Sequence, residues 1–200
     1  MKSTFRLPGP TAVPPQVYAA MQHEMIPHRG AEFSAFYANL LARLRRIHRT
    51  ESDVLVWPGS GSAGWEIAIT NFLSPGDEVV SLVAGAFGDR FAHVASTLSI
   101  AVHRVDLPWG SAFHPEILTK AFDQHPNAKA ALLTHNETST GVTHPIAGLA
   151  AVARERGVLT FVDAVSSAAG LPIEFDAWDI DYLFSGSQKA WMCPPGLLIV

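Results

Sequence analysis

Apolar residues recur along this chain at two spacings, and the two kinds of segment alternate. Helical spacing, with apolar residues three or four positions apart, marks residues 33–49, 65–73, 85–98, 115–124 and 146–156. Short apolar runs typical of buried strands cover residues 54–57, 78–83, 100–105, 128–134, 158–162, 180–184 and 197–200. This alternation predicts an α/β fold with three layers, a mostly parallel sheet covered by helices.

The first thirty residues lack this alternation and are predicted to form an N-terminal arm, residues 1–30. Four prolines within residues 7–15 remove backbone donors and exclude a helix there, so the segment is expected to be extended. Residues 31–200 then form one large domain, which ends inside an apolar run that has the pattern of an interrupted strand.

Composition narrows the classes of function. The chain is 48% hydrophobic with a net charge of −4 and no basic stripe, so nucleic acid and anionic membrane surfaces are not expected partners. No apolar run approaches the roughly 20 residues of a membrane span. The single cysteine, Cys193, excludes an internal disulfide, and the nine histidines show no metal-ligand spacing. We expect a cytoplasmic protein without a metal site.

A glycine-rich turn follows the first predicted strand. Gly59, Gly61 and Gly64 fit the G-x-G-x-x-G pattern, which aims backbone N–H groups at an anion. No acidic residue ends the next strand, as a dinucleotide site would require, and no G-K-[ST] follows. Ser60 and Ser62 add hydroxyl donors, which favours a single phosphate monoester over a plain structural turn.

Three further strand ends carry candidate residues. Phe87 stands at a helix start outside the buried stripe, where it could stack on a flat ligand or pack in the core. Thr138 and Ser139 lie in a polar run, residues 135–141, that offers hydroxyl donors. Asp163 ends a buried strand, where a carboxylate requires a cationic partner such as a pyridinium nitrogen, unless it caps the following segment.

Lys189 completes this set of residues. It follows a buried strand on a loop bounded by prolines, and a lysine held there can attack a carbonyl as a neutral amine. Taken alone, it fits an ordinary surface lysine better. Because parallel strands end at one edge of a sheet, however, the phosphate donors, aromatic ring, acid and amine are expected to meet. Together they match one planar, phosphorylated, pyridine-bearing aldehyde, pyridoxal 5'-phosphate.

Six ordered motifs then carry a resemblance to a known family. The chain resembles the class V, fold type I pyridoxal-phosphate-dependent aminotransferases, especially the alanine-glyoxylate and serine-pyruvate branch. The motifs are L-P-G-P-T from Leu7, G-S-G-S from Gly59, G-A-F-G-D-R from Gly85, T-H-N-E-T-S-T-G from Thr134, V-D-A-V-S-S from Val162 and S-G-S-Q-K-A from Ser185.

The resemblance implies roles for individual residues. Lys189 would form the internal aldimine, Asp163 would pair with the pyridine nitrogen, and Phe87 would stack on the ring. The phosphate would be held by Ser60, Gly61, Ser62 and Gln188, the ring would be approached by Thr138 and Val165, and the substrate pocket would be lined by Pro8 and Gly9. The implied activity is transamination from alanine or serine to glyoxylate or pyruvate, in a homodimer.

The resemblance also leaves alternatives open. Relatives continue into a smaller C-terminal domain with an arginine for the substrate carboxylate, so the chain is interpreted as a truncated large domain that lacks the small one. A cysteine desulfurase-like lyase would place histidine before the lysine, where this chain has Gln188. A non-catalytic fragment of the family is the third interpretation, and the amino donor, the acceptor and the source of the protein stay open.

Overall fold

A computed structural model describes residues 5–200, so the first four residues of the predicted arm lie outside the described residues. The helices are α1 (Pro15–Ala20), α2 (Ala31–His48), α3 (Gly61–Phe72), α4 (Ala86–Thr97), α5 (Pro115–Gln124) and α6 (Ile146–Glu155). The strands are β1 (Val56–Gly59), β2 (Glu78–Val83), β3 (Ala101–Asp106), β4 (Ala128–Thr134), β5 (Asn136–Glu137), β6 (Val142–Thr143), β7 (Leu159–Asp163), β8 (Tyr182–Gly186) and β9 (Gly196–Ile199).

Seven strands form one sheet in the order β1-β9-β8-β7-β4-β2-β3. The block from β8 to β3 is parallel throughout. Strand β9 runs antiparallel to both neighbours, so β1 points the same way as the parallel block. The predicted α/β fold with a mostly parallel sheet is confirmed, although the apolar pattern did not indicate the reversed direction of β9.

Two hydrophobic clusters cover the two faces of the sheet. Successive residues of one strand belong to opposite clusters. Leu132 and Phe161 pack in the layer with α3 and α4, whereas Leu133 and Val162 pack in the layer with α5 and α6. This alternation is the two-residue period of a strand buried on both sides. The continuous apolar runs in the sequence therefore correspond to strands covered by helices above and below.

Five local predictions are corrected. Pro15 opens the short helix α1 instead of extending the arm, because proline is well accommodated at the first helical position. Strand β1 lies two residues later than predicted, and α3 begins at Gly61 instead of residue 65. Strand β8 also lies two residues later than the predicted 180–184. In addition, β5 and β6 pair as an antiparallel hairpin around the polar run, where no strand was predicted.

The depth at which α3 sits on the sheet depends on Gly64. A Cβ atom added there would lie 2.1 Å from Cδ2 and 2.3 Å from Cγ of Phe184, a ring buried in β8. Non-bonded carbon atoms do not come this close to each other, so only glycine allows α3 to approach β8 in this way.

We therefore expect Gly64→Ala to lower the free energy of unfolding by roughly 1–3 kcal/mol, because the new methyl group overpacks the core. Urea denaturation measures this. Gly59→Ala is the matched control, since its nearest neighbour would lie at an ordinary 3.8 Å and the change is expected to be within about 0.5 kcal/mol. Equal stability of the two variants would contradict the close packing.

Candidate active site

A cavity of about 260 Å³ opens where the parallel strands end. Nine of the eleven predicted site residues line it: Gly9, Ser60, Gly61, Ser62, Phe87, Asp163, Val165, Gln188 and Lys189. Pro10, Trp65 and Pro195, which were not predicted, complete the wall. Pro8 and Thr138 are not part of it. Most of the candidate residues therefore lie together around one cavity.

The N-terminus of α3 forms one wall. Ser60 is the N-cap residue, but its hydroxyl makes no capping bond to the helix and is therefore available to another partner. Gly61 packs against the next wall, since a Cβ there would lie 2.7 Å from Cγ2 of Val165. The free amides of a first helical turn carry partial positive charge, so this wall suits an anion.

Asp163 ends β7 at the bottom of the cavity and is only 3% exposed. Its Oδ1 accepts the backbone N–H of Val165 at 2.9 Å, and its Oδ2 accepts the indole N–H of Trp65 at 2.9 Å. Burial raises the pKa of Asp163 to about 6, although these two donors and Lys189 favour the charged form. The carboxyl group is therefore poised to gain or lose a proton near neutral pH.

Lys189 lies three residues beyond β8 and is 9% exposed. Burial lowers the pKa of its amine below the usual range, while the negative charge of Asp163 opposes that shift. The two side chains thus influence each other through charge. A lysine amine that loses its proton more readily is a better nucleophile and base.

The N-terminal arm is fastened to the Lys189 loop. The backbone N–H of Thr11 donates to the carbonyl of Gln188 at 3.0 Å, and its hydroxyl donates to the carbonyl of Lys189 at 2.9 Å. Gly9 then lies directly on the lysine, since a Cβ there would be 2.4 Å from Cδ of Lys189. The arm is therefore a wall of the cavity and narrows the space around the lysine side chain.

Phe87 is held by a buried acid from the β5–β6 hairpin. Glu137 is 1% exposed, and its Oε2 accepts the backbone N–H groups of Phe87 at 3.0 Å and Gly88 at 3.1 Å. Its Oε1 accepts the N–H and hydroxyl of Ser139. A carboxylate at the N-terminus of α4 also suits the helix dipole. Glu137 thus holds the backbone of Phe87, whose half-buried ring lines the cavity.

Two predicted residues lie elsewhere. The hydroxyl of Thr138 is hydrogen bonded to that of Ser166, so it faces a neighbouring loop and not the cavity. Pro8 is exposed on the arm, one residue before the wall begins. Among the residues that sequence reasoning missed, Trp65 carries the clearest signal: it stands four positions after Gly61, one turn along the same helix face.

A second, larger cavity of about 520 Å³ contains none of these residues. It is mostly apolar and lies beside β1 and α2, where His48 is buried and its pKa is lowered to about 4 by loss of hydration. Within residues 5–200, no helix is both long and apolar enough for a bilayer. The same residues hold no group of three or more His, Cys, Asp or Glu side chains placed to bind a metal.

The chain is similar to known proteins in sequence and in fold. Residues 6–200 match the family described as Aminotransferase class-V. An uncharacterised aminotransferase of Methanocaldococcus jannaschii is 36% identical over all of this chain and 52% of its own length. An L-aspartate–glyoxylate aminotransferase of Paracoccus denitrificans is 37% identical over 97% of this chain and 50% of its own.

A solved structure shows the same fold. The crystal structure of an alanine–glyoxylate aminotransferase from Nostoc sp. superposes with a TM-score of 0.92 at 36% identity, and covers 96% of this chain and 51% of that one. The chain thus spans about half the length of the curated relatives it matches. The resemblance drawn from the six motifs is confirmed at the level of family and fold.

We expect Glu137→Ala to lower the free energy of unfolding by roughly 2–4 kcal/mol, because it leaves buried amides at the start of α4 without an acceptor. Chemical denaturation measures the loss. Glu116→Ala removes an exposed acid from the first turn of α5 and is the matched control, with an expected loss of about 0.3–1 kcal/mol. A similar loss in both variants would contradict a buried capping role for Glu137.

The raised pKa of Asp163 makes stability depend on pH. Between its unfolded pKa of about 3.9 and its folded pKa of about 6, the folded protein holds a proton that the unfolded chain has lost. This group therefore stabilises the fold less as pH rises through that window, by up to about 3 kcal/mol.

Asp163→Asn cannot titrate, so its free energy of unfolding relative to wild type is expected to increase from pH 4 to pH 7 by up to that amount. Urea denaturation at four pH values measures the difference, in which contributions of the buried histidines cancel. A difference that is independent of pH would show that the Asp163 carboxyl titrates in its ordinary range.

Proposed function

This chain belongs to the class V aminotransferase family, and on that premise we propose that it works as a pyridoxal-phosphate-dependent transaminase. It would move an amino group from alanine or serine to glyoxylate or pyruvate. The observation that carries the proposal is one cavity walled by an amine, Lys189, a buried acid, Asp163, and the N-terminus of α3. Each wall matches a different part of the cofactor.

The residues present fit that cofactor. A cavity of about 260 Å³ is close to the lower end of ligand pockets, roughly 300 Å³. The Ser60 hydroxyl is not used by its own helix, and the side-chain oxygen of Gln188 is buried without a partner among the described residues. Ser60, Gly61, Ser62 and Gln188 would hold the phosphate, with the amide of Gln188 turned to donate.

Pyridoxal phosphate supplies an aldehyde and an electron-withdrawing ring that stabilises negative charge on a substrate α-carbon. Asp163 would hold the protonated ring nitrogen through its carboxylate, the group whose burial creates a need for positive charge. Phe87 would cover one face of the ring, and Val165 would support the other.

Lys189 has two tasks in this proposal. Its Nζ would bind the cofactor in the resting protein, and after substrate has replaced it, the same amine would move the proton at the substrate α-carbon. The lowered pKa of the amine supports both, because only the neutral form can attack a carbonyl or accept a proton. Gly9 and Pro10 of the arm would limit the size of the substrate side chain.

The substrate class follows the family, whose members use amino acids and 2-oxo acids. Relatives named serine–glyoxylate aminotransferase, from Methylorubrum extorquens, and alanine–glyoxylate aminotransferase, from rat, are 34% and 33% identical. Their shared acceptor supports glyoxylate here, and their different donors leave the amino acid to be measured. The homodimer and the cytoplasmic location stay predictions.

We expect the purified chain to develop the visible absorption band of lysine-bound pyridoxal phosphate, and borohydride reduction followed by peptide mapping to trap the cofactor on Lys189. Lys189→Ala removes the amine and is expected to abolish both signals. Lys120→Ala changes an exposed lysine on α5 and is expected to retain them. A folded wild-type chain without the band, or a label on another lysine, would refute the proposal for this chain.

A further inference from the structure

The indole of Trp65 has a polar contact that its aromatic neighbours do not explain. Its ring is 4% exposed and stacks on Phe91 with centroids 6.1 Å apart, as a core residue would. Its N–H, however, points the other way and donates to Oδ2 of Asp163 at 2.9 Å, and the residue also lines the cavity. Trp65 therefore connects the core to the candidate site.

This hydrogen bond fixes the orientation of one of the two carboxylate oxygens of Asp163, Oδ2. The other oxygen, Oδ1, accepts the backbone N–H of Val165, which any residue except proline would supply at that position. Oδ2 has only a side-chain donor among the described residues, so its orientation depends on Trp65. A hydrogen bond to a charged acceptor is stronger than one between neutral groups, and it favours the carboxylate over the carboxylic acid.

Helix α3 links this contact to the opposite wall. Trp65 stands four residues after Gly61, so about 6 Å of helix separate the free amides of the first turn from the residue that orients the acid. Because one rigid element carries both, the spacing between the anion-binding end and the carboxylate is fixed before any ligand arrives.

We propose that Trp65 is a positioning residue of this site, whose indole N–H orients the Asp163 carboxylate into the cavity at a fixed distance from the N-terminus of α3. Only the identity of the ligand that Asp163 would meet rests on the proposed function; the contact itself belongs to the protein. The charged groups that influence the carboxyl group from other elements are Lys189 after β8 and Glu137 on β5. The backbone N–H of His135 after β4 donates to the main-chain carbonyl of Asp163, not to its side chain.

Nuclear magnetic resonance tests the contact without any cofactor. The chain has five tryptophans, and the indole N–H signal of Trp65 is assigned by its loss in Trp65→Phe. We expect this signal to move with pH, with a midpoint near the pKa of about 6 of Asp163, and to stop moving in Asp163→Asn. Trp191 is an internal control, because its indole donates at 2.8 Å to the neutral hydroxyl of Ser185.

The Trp191 signal is expected to stay constant from pH 5 to pH 8. A Trp65 signal that does not titrate, or that titrates equally in Asp163→Asn, would overturn the proposal. This part of the test uses wild type and Asp163→Asn alone once the signal is assigned. It therefore decides the matter even where Trp65→Phe folds poorly, because the Trp65 signal can then be assigned in wild type by nuclear Overhauser contacts with the neighbouring Phe91 ring.

Trp65→Phe tests the consequence, because phenylalanine keeps an aromatic ring and removes the donor. The acid dissociation constant of Asp163, followed by its carboxyl carbon signal, is expected to fall about tenfold, which corresponds to one pKa step of 1.36 kcal/mol. The dissociation constant of pyridoxal phosphate is expected to rise about tenfold. Trp191→Phe loses a comparable indole bond outside the cavity and is expected to change neither value.

The outcomes distinguish the positioning role of Trp65 from the proposed transaminase function. An unchanged Asp163 titration in folded Trp65→Phe would overturn the positioning role, whatever the cofactor does. Failure of wild type to bind pyridoxal phosphate, with the Trp65 signal still titrating through Asp163, would refute the proposed function and support the positioning of the acid by Trp65.

Discussion

Burial of the Asp163 carboxylate is the constraint on which the candidate site depends. At 3% exposure the group loses most of its hydration, and such a charge is tolerated only where donors or cations replace the water. The backbone of Val165 and the indole of Trp65 supply donors, and Lys189 adds positive charge without a hydrogen bond. These groups come from the turn after β7, from α3 and from the loop after β8. The same packing that stabilises the acid therefore brings three walls of the cavity together.

Loss of hydration acts on the two ionisable groups in opposite directions. It raises the pKa of Asp163 and lowers that of Lys189, so it favours the neutral form of both. A ligand that brings positive charge to Asp163 restores the charged form of the acid, and a ligand that brings a carbonyl to Lys189 uses the neutral amine. A pyridine ring that carries an aldehyde would do both, and for this reason the proposed cofactor would suit these two groups better than a simple anion.

Site residues whose position follows from their own short segment could be predicted from the sequence. Contacts between residues that lie far apart in the chain could not. Asp163 and Lys189 could be found because each follows an apolar strand, and strand ends of a parallel sheet share an edge. The capping of α4 by Glu137 could not, since the acid lies about fifty residues from the amides that it binds. The hairpin around it contains polar residues without alternation, so its strands left no pattern. Trp65 fitted the apolar stripe of a helix, and that fit concealed its polar contact.

The glycines of the G-x-G-x-x-G pattern show that packing, and not only the binding of a ligand, can require such residues. Their pattern was interpreted as a phosphate-binding turn that precedes a helix. In the structure Gly59 ends the strand with ordinary contacts, whereas Gly61 and Gly64 lie inside α3, where side chains would collide with Val165 and Phe184. Two of the three glycines therefore set how deeply the helix sits on the sheet. The same helix carries Ser60 and Gly61 at its start and Trp65, whose indole binds the Asp163 carboxylate, so the packing of α3 on the sheet sets where these groups line the cavity.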